Sequence, residues 1–150
     1  MLRNELTDNK KMKPQNFLNR VDIELKRAER YRIFISLLVL DLSFIDSELM
    51  DNQEAIKQEI LDAVAKEIRE IDLVSVLKDS KLALLFPETN RQGAEIASKR
   101  ITEAIKKNLP EKKQESPAEV ITMEMSSYPD AAGARSISEF LTEYSELNIN

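Results

Sequence analysis

The side chains of this sequence that could do chemistry are carboxylates, amines, guanidinium groups and hydroxyls, because its 150 residues include no histidine and no cysteine. This excludes Ser-His and Cys-His nucleophile pairs, thiolate zinc sites, disulfides and thiol redox couples. The two glycines, Gly93 and Gly133, cannot form a P-loop or a dinucleotide-binding fingerprint, since each needs several glycines where backbone approaches phosphate. A reaction or binding site must therefore be built from Asp, Glu, Lys, Arg, Tyr, Ser and Thr.

Length and charge indicate the class of protein. The chain suits one domain, and 22 Lys+Arg against 27 Asp+Glu give a net charge of −5 that does not favour nucleic acid polymers or anionic membranes. The longest apolar run, Ile33–Leu40, is too short to cross a membrane, and the first residues lack a signal peptide's hydrophobic region. We expect a soluble, cytoplasmic protein. Residues 1–14, with solvated Lys10, Lys11 and Lys13, are predicted to be a flexible lead-in to a domain over 15–150.

Hydrophobic periodicity predicts the elements that must position those side chains, in the order helix, strand, helix, hairpin, helix, strand, helix. The predicted helices run from Phe17 to Tyr31, from a cap at Asp51 and Glu54 to about Glu70, from a cap at Thr89 and Gln92 to before Pro110, and from a cap at Ser136 and Glu139 to about Glu146. The predicted strands are Ile33–Leu40 in the middle of the sheet, Leu73–Leu77 and Leu82–Phe86 in the hairpin, and Val120–Ser127, with a loop over Leu109–Pro117. This order predicts an α/β sandwich with helices packed on a central sheet.

Particular residues within this pattern match a known family. The first helix and strand lead to Asp41, and Arg69–Val74 and Leu85–Thr89 flank the hairpin at the family's spacing. A weaker match covers Met123–Pro129. The chain thereby resembles a GGDEF domain, the fold of diguanylate cyclases, which is similar to the palm of polymerases and adenylyl cyclases. The resemblance implies a palm-like central sheet with flanking helices, and it implies that Asp41 matches the first metal-binding aspartate.

The family's signature is absent. In place of Gly-Gly-Asp/Glu-Glu-Phe the hairpin carries Lys78, Asp79, Ser80, Lys81 and Leu82. In the family the two signature acids and the first aspartate hold magnesium on the GTP phosphates. Here a hydroxyl and an ammonium replace two carboxylates, which disfavours a Mg²⁺ site. Asp79 does not replace the missing acids, because a shift by one residue along a strand turns the side chain to the opposite face. Asp41 is then a relic held by backbone N–H groups of the next loop.

The substrate-binding positions have changed as well. Spacing from Asp41 places Ser43 at the second aspartate, Leu49 at the guanine-binding asparagine, Gln53-Glu54 at the Gly-His pair and Gln58 at the guanine-binding aspartate. Leu49 cannot hydrogen-bond a guanine edge. The resemblance therefore implies a domain that is not an enzyme, makes no cyclic di-GMP and holds no metal or cofactor.

One ligand site of the family could remain. Arg69 and Asp72 match its inhibitory product site, the RxxD motif, and Arg100 falls where active members supply a second arginine. A guanidinium can donate to guanine O6 and N7, and a carboxylate can accept from N1 and N2. We expect Arg69 and Asp72 on one exposed corner. The alternative is that the two residues cap the helix end as a local ion pair.

Two functions follow as hypotheses. The first is a cyclic di-GMP receptor that uses Arg69, Asp72 and Arg100. The second is a ligand-independent scaffold or adaptor that binds a protein in bacterial signalling. GTP binding without turnover is weaker because both guanine-reading positions are lost, and Lys78 and Lys81 are interpreted as a solvated hairpin tip rather than a phosphate site. The protein partner and the oligomeric state stay open, as does whether the chain is a standalone adaptor or an excerpt of a longer protein.

Overall fold

Helices and strands alternate along the chain in this computed structural model, which describes residues 10–46, 52–109, 121–130 and 133–149. The helices are α1 (Pro14–Tyr31), α2 (Gln53–Glu67), α3 (Arg91–Lys107) and α4 (Ile137–Ile149). The strands are β1 (Ile35–Asp41), β2 (Leu73–Leu77), β3 (Lys81–Pro87) and β4 (Thr122–Tyr128). The predicted order of elements is confirmed. No helix in the described ranges is long and apolar enough to cross a membrane.

The sheet places β1 in its interior, as its apolar run, broken only by Ser36, predicted. The strand order is β2-β3-β1-β4, and every neighbouring pair is antiparallel. The register puts Asp41, the last residue of β1, opposite Lys81 of β3 and Thr122 of β4. The end of β1 and the turn of the β2–β3 hairpin therefore lie side by side.

Helices cover both faces of this sheet and form two apolar layers. Leu38 and Leu40 of β1 point to the layer that contains residues of α2 and α3. Leu37 and Val39 point to the opposite layer, which contains residues of α1 and α4. Side chains of a strand alternate between faces, so a continuous apolar strand is buried on both. This arrangement is the predicted α/β sandwich.

The N-terminus of α3 differs from its predicted cap. The capping residue is Asn90, whose side-chain oxygen accepts a hydrogen bond from the Gly93 amide at 2.9 Å. Thr89 was predicted for this role, but its hydroxyl donates to the Pro87 carbonyl at 3.0 Å. The prediction was wrong because the Thr89 hydroxyl bonds to the carbonyl two residues before it, in a local turn, and does not cap the helix.

The predictions for the two remaining helix caps have different outcomes. The prediction for α4 is confirmed, since the Glu139 amide donates to Ser136 Oγ at 3.1 Å. At α2 the cap is Asn52, which has a left-handed backbone (φ 56°) and makes no side-chain capping bond. Asp51 lies outside the described residues, so the predicted box with Glu54 is not seen.

The segment before α1 is bound to the edge of the sheet. The Met12 amide donates to the Val74 carbonyl and the Val74 amide to the Lys10 carbonyl, each at 2.9 Å. The buried Ser75 hydroxyl donates to the Met12 carbonyl at 2.7 Å. The prediction of a flexible lead-in over 1–14 is therefore wrong for residues 10–13, because the edge strand β2 offers them unpaired backbone groups. Residues 1–9 lie outside the described ranges.

Lys10 also explains where α2 ends. Its ammonium group donates to the carbonyls of Ala65 (2.9 Å) and Ile68 (2.7 Å), so it is not a solvated charge as predicted. Ile68 is extended, and α2 stops at Glu67 rather than near Glu70. A lysine at this position satisfies carbonyls that the last turn of a helix leaves unpaired.

Candidate functional site

Asp41 and Lys81 form an ion pair across the adjacent ends of β1 and β3. Lys81 Nζ lies 2.8 Å from Asp41 Oδ2, and each side chain is about 30% exposed (30% and 31%). Asp41 Oδ1 accepts a second hydrogen bond from the Ser43 amide at 2.8 Å. Both carboxylate oxygens are thus engaged, one by the next loop, as predicted, and one by a residue at a signature position.

The electrostatics of this pair favour the charged form of both groups. The hydrogen bond from Lys81 is the main cause that lowers the pKa of Asp41 from 3.8 to about 2. The same bond raises the pKa of Lys81. An ammonium therefore lies within hydrogen-bonding distance of Asp41, the carboxylate that the resemblance implies at a metal-binding position. Within the described ranges, no three Asp or Glu side chains are grouped so that they could hold a metal ion.

On the opposite side of the hairpin turn, Ser80 is tied to the loop that follows β1. Its hydroxyl donates to Asp46 Oδ2 at 2.6 Å, and Lys57 of α2 lies 2.8 Å from Asp46 Oδ1. Lys57 is the leading cause that lowers the pKa of Asp46. The Ser80 carbonyl also accepts from the Leu42 amide at 2.9 Å. Sequence reasoning missed Asp46 and Lys57, because no local spacing signals a contact between a loop, a helix and a hairpin.

The backbone of this turn is left-handed at two consecutive residues that are not glycine. Asp79 has φ 60° and Ser80 has φ 54°. Asp79 and Lys78 are exposed, whereas Ser80 is buried by its contact with Asp46. Leu82 is fully buried opposite Leu40, so the last signature position belongs to the core.

A cavity of about 210 Å³ opens beside the ion pair on the α4 side of the sheet. Arg135 bridges Glu124 of β4 (Nε to Oε1, 2.8 Å) and Glu143 of α4 at its wall. Tyr144 also lines it, and burial raises the pKa of that phenol. Including Asp41 and Lys81, three carboxylates and two cations line the cavity, and each carboxylate is in an ion pair with one of the two cations. Arg135 was not predicted, since its partners are distant in sequence.

Arg69 and Asp72 are joined at the turn between α2 and β2. Asp72 accepts from the Arg69 backbone amide (2.8 Å), from Nε (3.3 Å) and from Nη2 (3.0 Å). Nη2 also donates to the Pro87 carbonyl (2.8 Å) and to Thr89 Oγ1 (2.6 Å). The local ion pair of the alternative interpretation is therefore present.

The two residues differ in exposure. The Arg69 side chain is 51% exposed, but that of Asp72 is 3% exposed. The expectation of a shared exposed corner was wrong for Asp72, because the helix ends three residues early and turns the carboxylate inward. Arg69 Nη1 makes no hydrogen bond to the residues that the structure describes, and it remains able to donate.

Arg100 lies on α3, where its Nη2 donates to the carbonyl of Glu67 at 3.3 Å. It lines a cavity of about 630 Å³ between α2 and α3, whose other walls carry acids and lysines in mixture. Arg100 and Arg69 thus both lie at the C-terminal end of α2, and within the described residues no hydrogen bond joins them. Of the other substrate positions, Gln53, Glu54 and Gln58 lie on α2, and Leu49 lies outside the described residues.

The fold is similar to solved structures of diguanylate cyclases. No protein-family model and no curated protein matches the chain. Diguanylate cyclase SiaD from Pseudomonas aeruginosa, solved with its activator SiaC, is 20% identical with a TM-score of 0.67; the match covers 89% of this chain and 52% of SiaD, so this chain spans about half of that protein.

Two further structures match over most of their own length. A diguanylate cyclase from Thermotoga maritima is 15% identical with a TM-score of 0.63, covering 89% of this chain and 92% of the other. The GGDEF domain of YfiN from Pseudomonas aeruginosa is 18% identical with a TM-score of 0.61, covering 90% and 86%. At these identities the likeness concerns architecture, and it shows that this chain has the GGDEF fold of diguanylate cyclase domains.

Proposed function

We propose that this protein is a non-catalytic GGDEF-fold domain that acts by binding. The observation that carries the proposal is Lys81, which pairs at 2.8 Å with Asp41 where the family's magnesium would meet carboxylates. Divalent cations with oxygen ligands need several carboxylates or carbonyls, and an ammonium beside the remaining carboxylate repels them. Without such a cation, the charge that develops on transferring phosphoryl groups lacks its usual stabilisation.

The activity test is direct. Purified protein is incubated with GTP and either Mg²⁺ or Mn²⁺, and cyclic di-GMP is quantified by liquid chromatography. The Thermotoga maritima cyclase serves as the positive control. We expect no product from this chain, and measurable cyclic di-GMP that scales with its concentration would refute the proposal.

For the ligand, we propose cyclic di-GMP at Arg69. The guanidinium is half-exposed and held through Nε and Nη2 by Asp72, Pro87 and Thr89, while Nη1 can still donate. A preorganised guanidinium loses less freedom when it binds a guanine edge or a phosphate. Asp72 is too buried to meet a guanine, so its role in this proposal is to position Arg69. Arg100, at the same end of α2, is the second cation.

Calorimetric titration with cyclic di-GMP tests this ligand. We expect Arg69→Ala to abolish binding and Asp72→Asn to weaken it, with Arg30→Ala, an exposed arginine on α1, as the matched control. Absence of heat with the wild type, or equal binding by Arg69→Ala and Arg30→Ala, would overturn the receptor proposal.

The second candidate is a ligand-independent interaction module. The observation in its favour is that the bonds of Arg69 are already satisfied on two of its three nitrogens within the chain. SiaD, which shares the fold, was solved in complex with a protein activator. Failure of the titration together with partner binding unaffected by Arg69→Ala would favour this candidate.

A further inference from the structure

A buried hydroxyl interrupts the apolar run of β1 at Ser36. Side chains of a strand alternate between its faces, so Ser36 shares with Leu38 the face that α2 and α3 cover. The Ser36 side chain is fully buried. A hydroxyl in such a place costs free energy unless it is hydrogen-bonded, so its partners indicate what it does there.

The Ser36 hydroxyl holds a backbone carbonyl beyond the end of β3. Ser36 Oγ donates to the Thr89 carbonyl at 2.8 Å, and Ser127 Oγ lies 3.0 Å from Ser36 Oγ. Because a hydroxyl has one proton and a carbonyl only accepts, Ser36 gives its proton to Thr89, and Ser127 is the donor to Ser36. Ser127, on β4, is also buried. Two strands of the sheet therefore fix the position of Thr89.

The turn that contains Thr89 needs this support. It follows β3, and Glu88 within it has a left-handed backbone with φ 53°. That conformation is unfavourable for a residue with a Cβ, so surrounding contacts must hold it. The Thr89 methyl group is also closely packed, since a Cβ at Gly93, in the first turn of α3, would lie 2.9 Å from Thr89 Cγ2. Thr89 thus has little freedom to move.

The Thr89 hydroxyl faces Arg69. Arg69 Nη2 donates to Thr89 Oγ1 at 2.6 Å and to the Pro87 carbonyl at 2.8 Å. Pro87 is placed by its pairing with Ile35 in the sheet, whereas Thr89 lies beyond the strand and is placed by Ser36. Both acceptors bind the same nitrogen of the guanidinium, so they determine which nitrogen stays available for a ligand.

We infer that Ser36 is a positioning residue for Arg69. It holds the Thr89 carbonyl, and Thr89 in turn holds Arg69 Nη2. The inference rests on the proposed function for its ligand, cyclic di-GMP, but the placement of Arg69 is a property of the free protein. Without the Ser36 hydroxyl, the turn loses a donor from the sheet and Arg69 Nη2 loses a fixed acceptor.

Nitrogen-15 NMR of the free protein tests the placement of Arg69. Its side-chain signals are identified by their loss in Arg69→Lys, and the exchange rate between Nη1 and Nη2 measures rotation of the guanidinium. We expect Ser36→Ala to raise this rate about fivefold, the effect of losing roughly one hydrogen bond. Ser75→Ala, which removes a similarly buried hydroxyl from the Met12 carbonyl, should leave the rate unchanged. Equal rates in Ser36→Ala and the wild type overturn the inference.

Two substitutions of Thr89 separate its hydroxyl from its packing. Thr89→Val keeps the shape and removes the hydroxyl, so it should raise the rate of guanidinium rotation as Ser36→Ala does. Thr89→Ser keeps the hydroxyl and should rotate like the wild type. An effect of Thr89→Ser equal to that of Thr89→Val contradicts the role of the hydroxyl.

Circular dichroism checks that each variant is folded. If Ser36→Ala does not fold, Ser36→Cys takes its place, because a thiol is a weaker donor than a hydroxyl. This variant should raise the rotation rate in the same direction, and an unchanged rate overturns the inference.

Titration with cyclic di-GMP separates this inference from the receptor proposal. When the wild type binds, we expect Ser36→Ala and Thr89→Val to raise the Kd about fivefold and Ser75→Ala to leave it unchanged. Equal affinity of Ser36→Ala and the wild type overturns the positioning role and leaves the receptor proposal intact. A wild type that gives no heat overturns the receptor proposal, whereas the rotation rates still decide what positions Arg69.

Discussion

At the scale of single residues, Lys81 does for the fold what a bound cation would do. It brings a positive charge to Asp41 from the neighbouring strand, and the ion pair joins the end of β1 to the start of β3. Ser80 makes a comparable bond to Asp46 on the other side of the turn. Ser80 and Lys81 therefore connect the hairpin to the loop after β1 and to the end of β1.

The charge of residue 81 should decide whether a divalent cation binds. Lys81→Glu places a second carboxylate opposite Asp41, so we expect Mn²⁺ to raise the melting temperature of this variant and to leave the wild type unchanged. Lys78→Glu, an equal charge change at an exposed position of the same turn, is the control. Equal responses of the two variants would mean that the site does not depend on residue 81.

The Asp41–Lys81 pair should also make stability depend on acid pH. The pKa of Asp41 lies at about 2 in the folded protein and near 3.8 otherwise, so its stabilising effect is complete above pH 3.8 and is lost as pH falls toward 2. Because the pair is partly exposed, we expect Asp41→Asn to cost about 1 kcal/mol at neutral pH. Urea unfolding at several pH values measures the difference in the free energy of unfolding between the wild type and Asp41→Asn. This difference should shrink toward zero near pH 2. A difference that is constant with pH would contradict the assignment.

The resemblance to the GGDEF family predicted part of this site. It implied that Asp41 matches a metal-binding position and that Ser80 and Lys81 replace two acids of the signature. The bond between Lys81 and Asp41 depends on strand register, and the contact of Lys57 with Asp46 depends on how α2 sits against a loop. No pattern within a short window contains that information.

At the scale of elements, the hairpin turn keeps a backbone conformation that suits glycine. Asp79 is left-handed at φ 60°, where a side chain costs about 1 kcal/mol relative to glycine. We expect Asp79→Gly to raise the free energy of unfolding by up to about that amount. Asp79→Ala, which removes the same carboxylate but keeps Cβ, should not. The denaturant midpoints of the two variants measure this difference in stability. An alanine variant more stable than the glycine variant would contradict the proposed cost of a side chain at this left-handed position.

The segment before α1 contributes a second element-scale contact. Lys10→Ala removes two hydrogen bonds to carbonyls at the end of α2, and we expect it to lower the free energy of unfolding by about 1 kcal/mol. Lys13→Ala, at an exposed position one residue before the helix, is the matched control. Hydrogen exchange at the last turn of α2 should rise only in Lys10→Ala, and unchanged exchange there would show that the cap is unimportant.

At the scale of the whole molecule, the order of helices and strands could be predicted because each element has a strong apolar period and sits between clear breaks. β1 reads as buried on both faces, and both layers cover it in the structure. The wrong predictions concern the ends of helices and the edge of the sheet. At Thr89 and at residues 10–13, another backbone group competes with the contact that the local pattern favours. The buried position of Asp72 belongs to the same class of failure.

The position of residues 10–13 has a consequence for how the protein is kept from aggregating. With Lys10 and Met12 bonded to Val74, part of β2 has no vacant backbone groups along its outer side. A chain that begins at Pro14 would leave the outward backbone groups of Val74 unpaired and so lengthen the open edge of the sheet at β2, a short and largely apolar strand. Such edges recruit strands from other molecules. By pairing with Val74, residues 10–13 therefore shorten the part of the β2 edge that is open to a strand from another molecule.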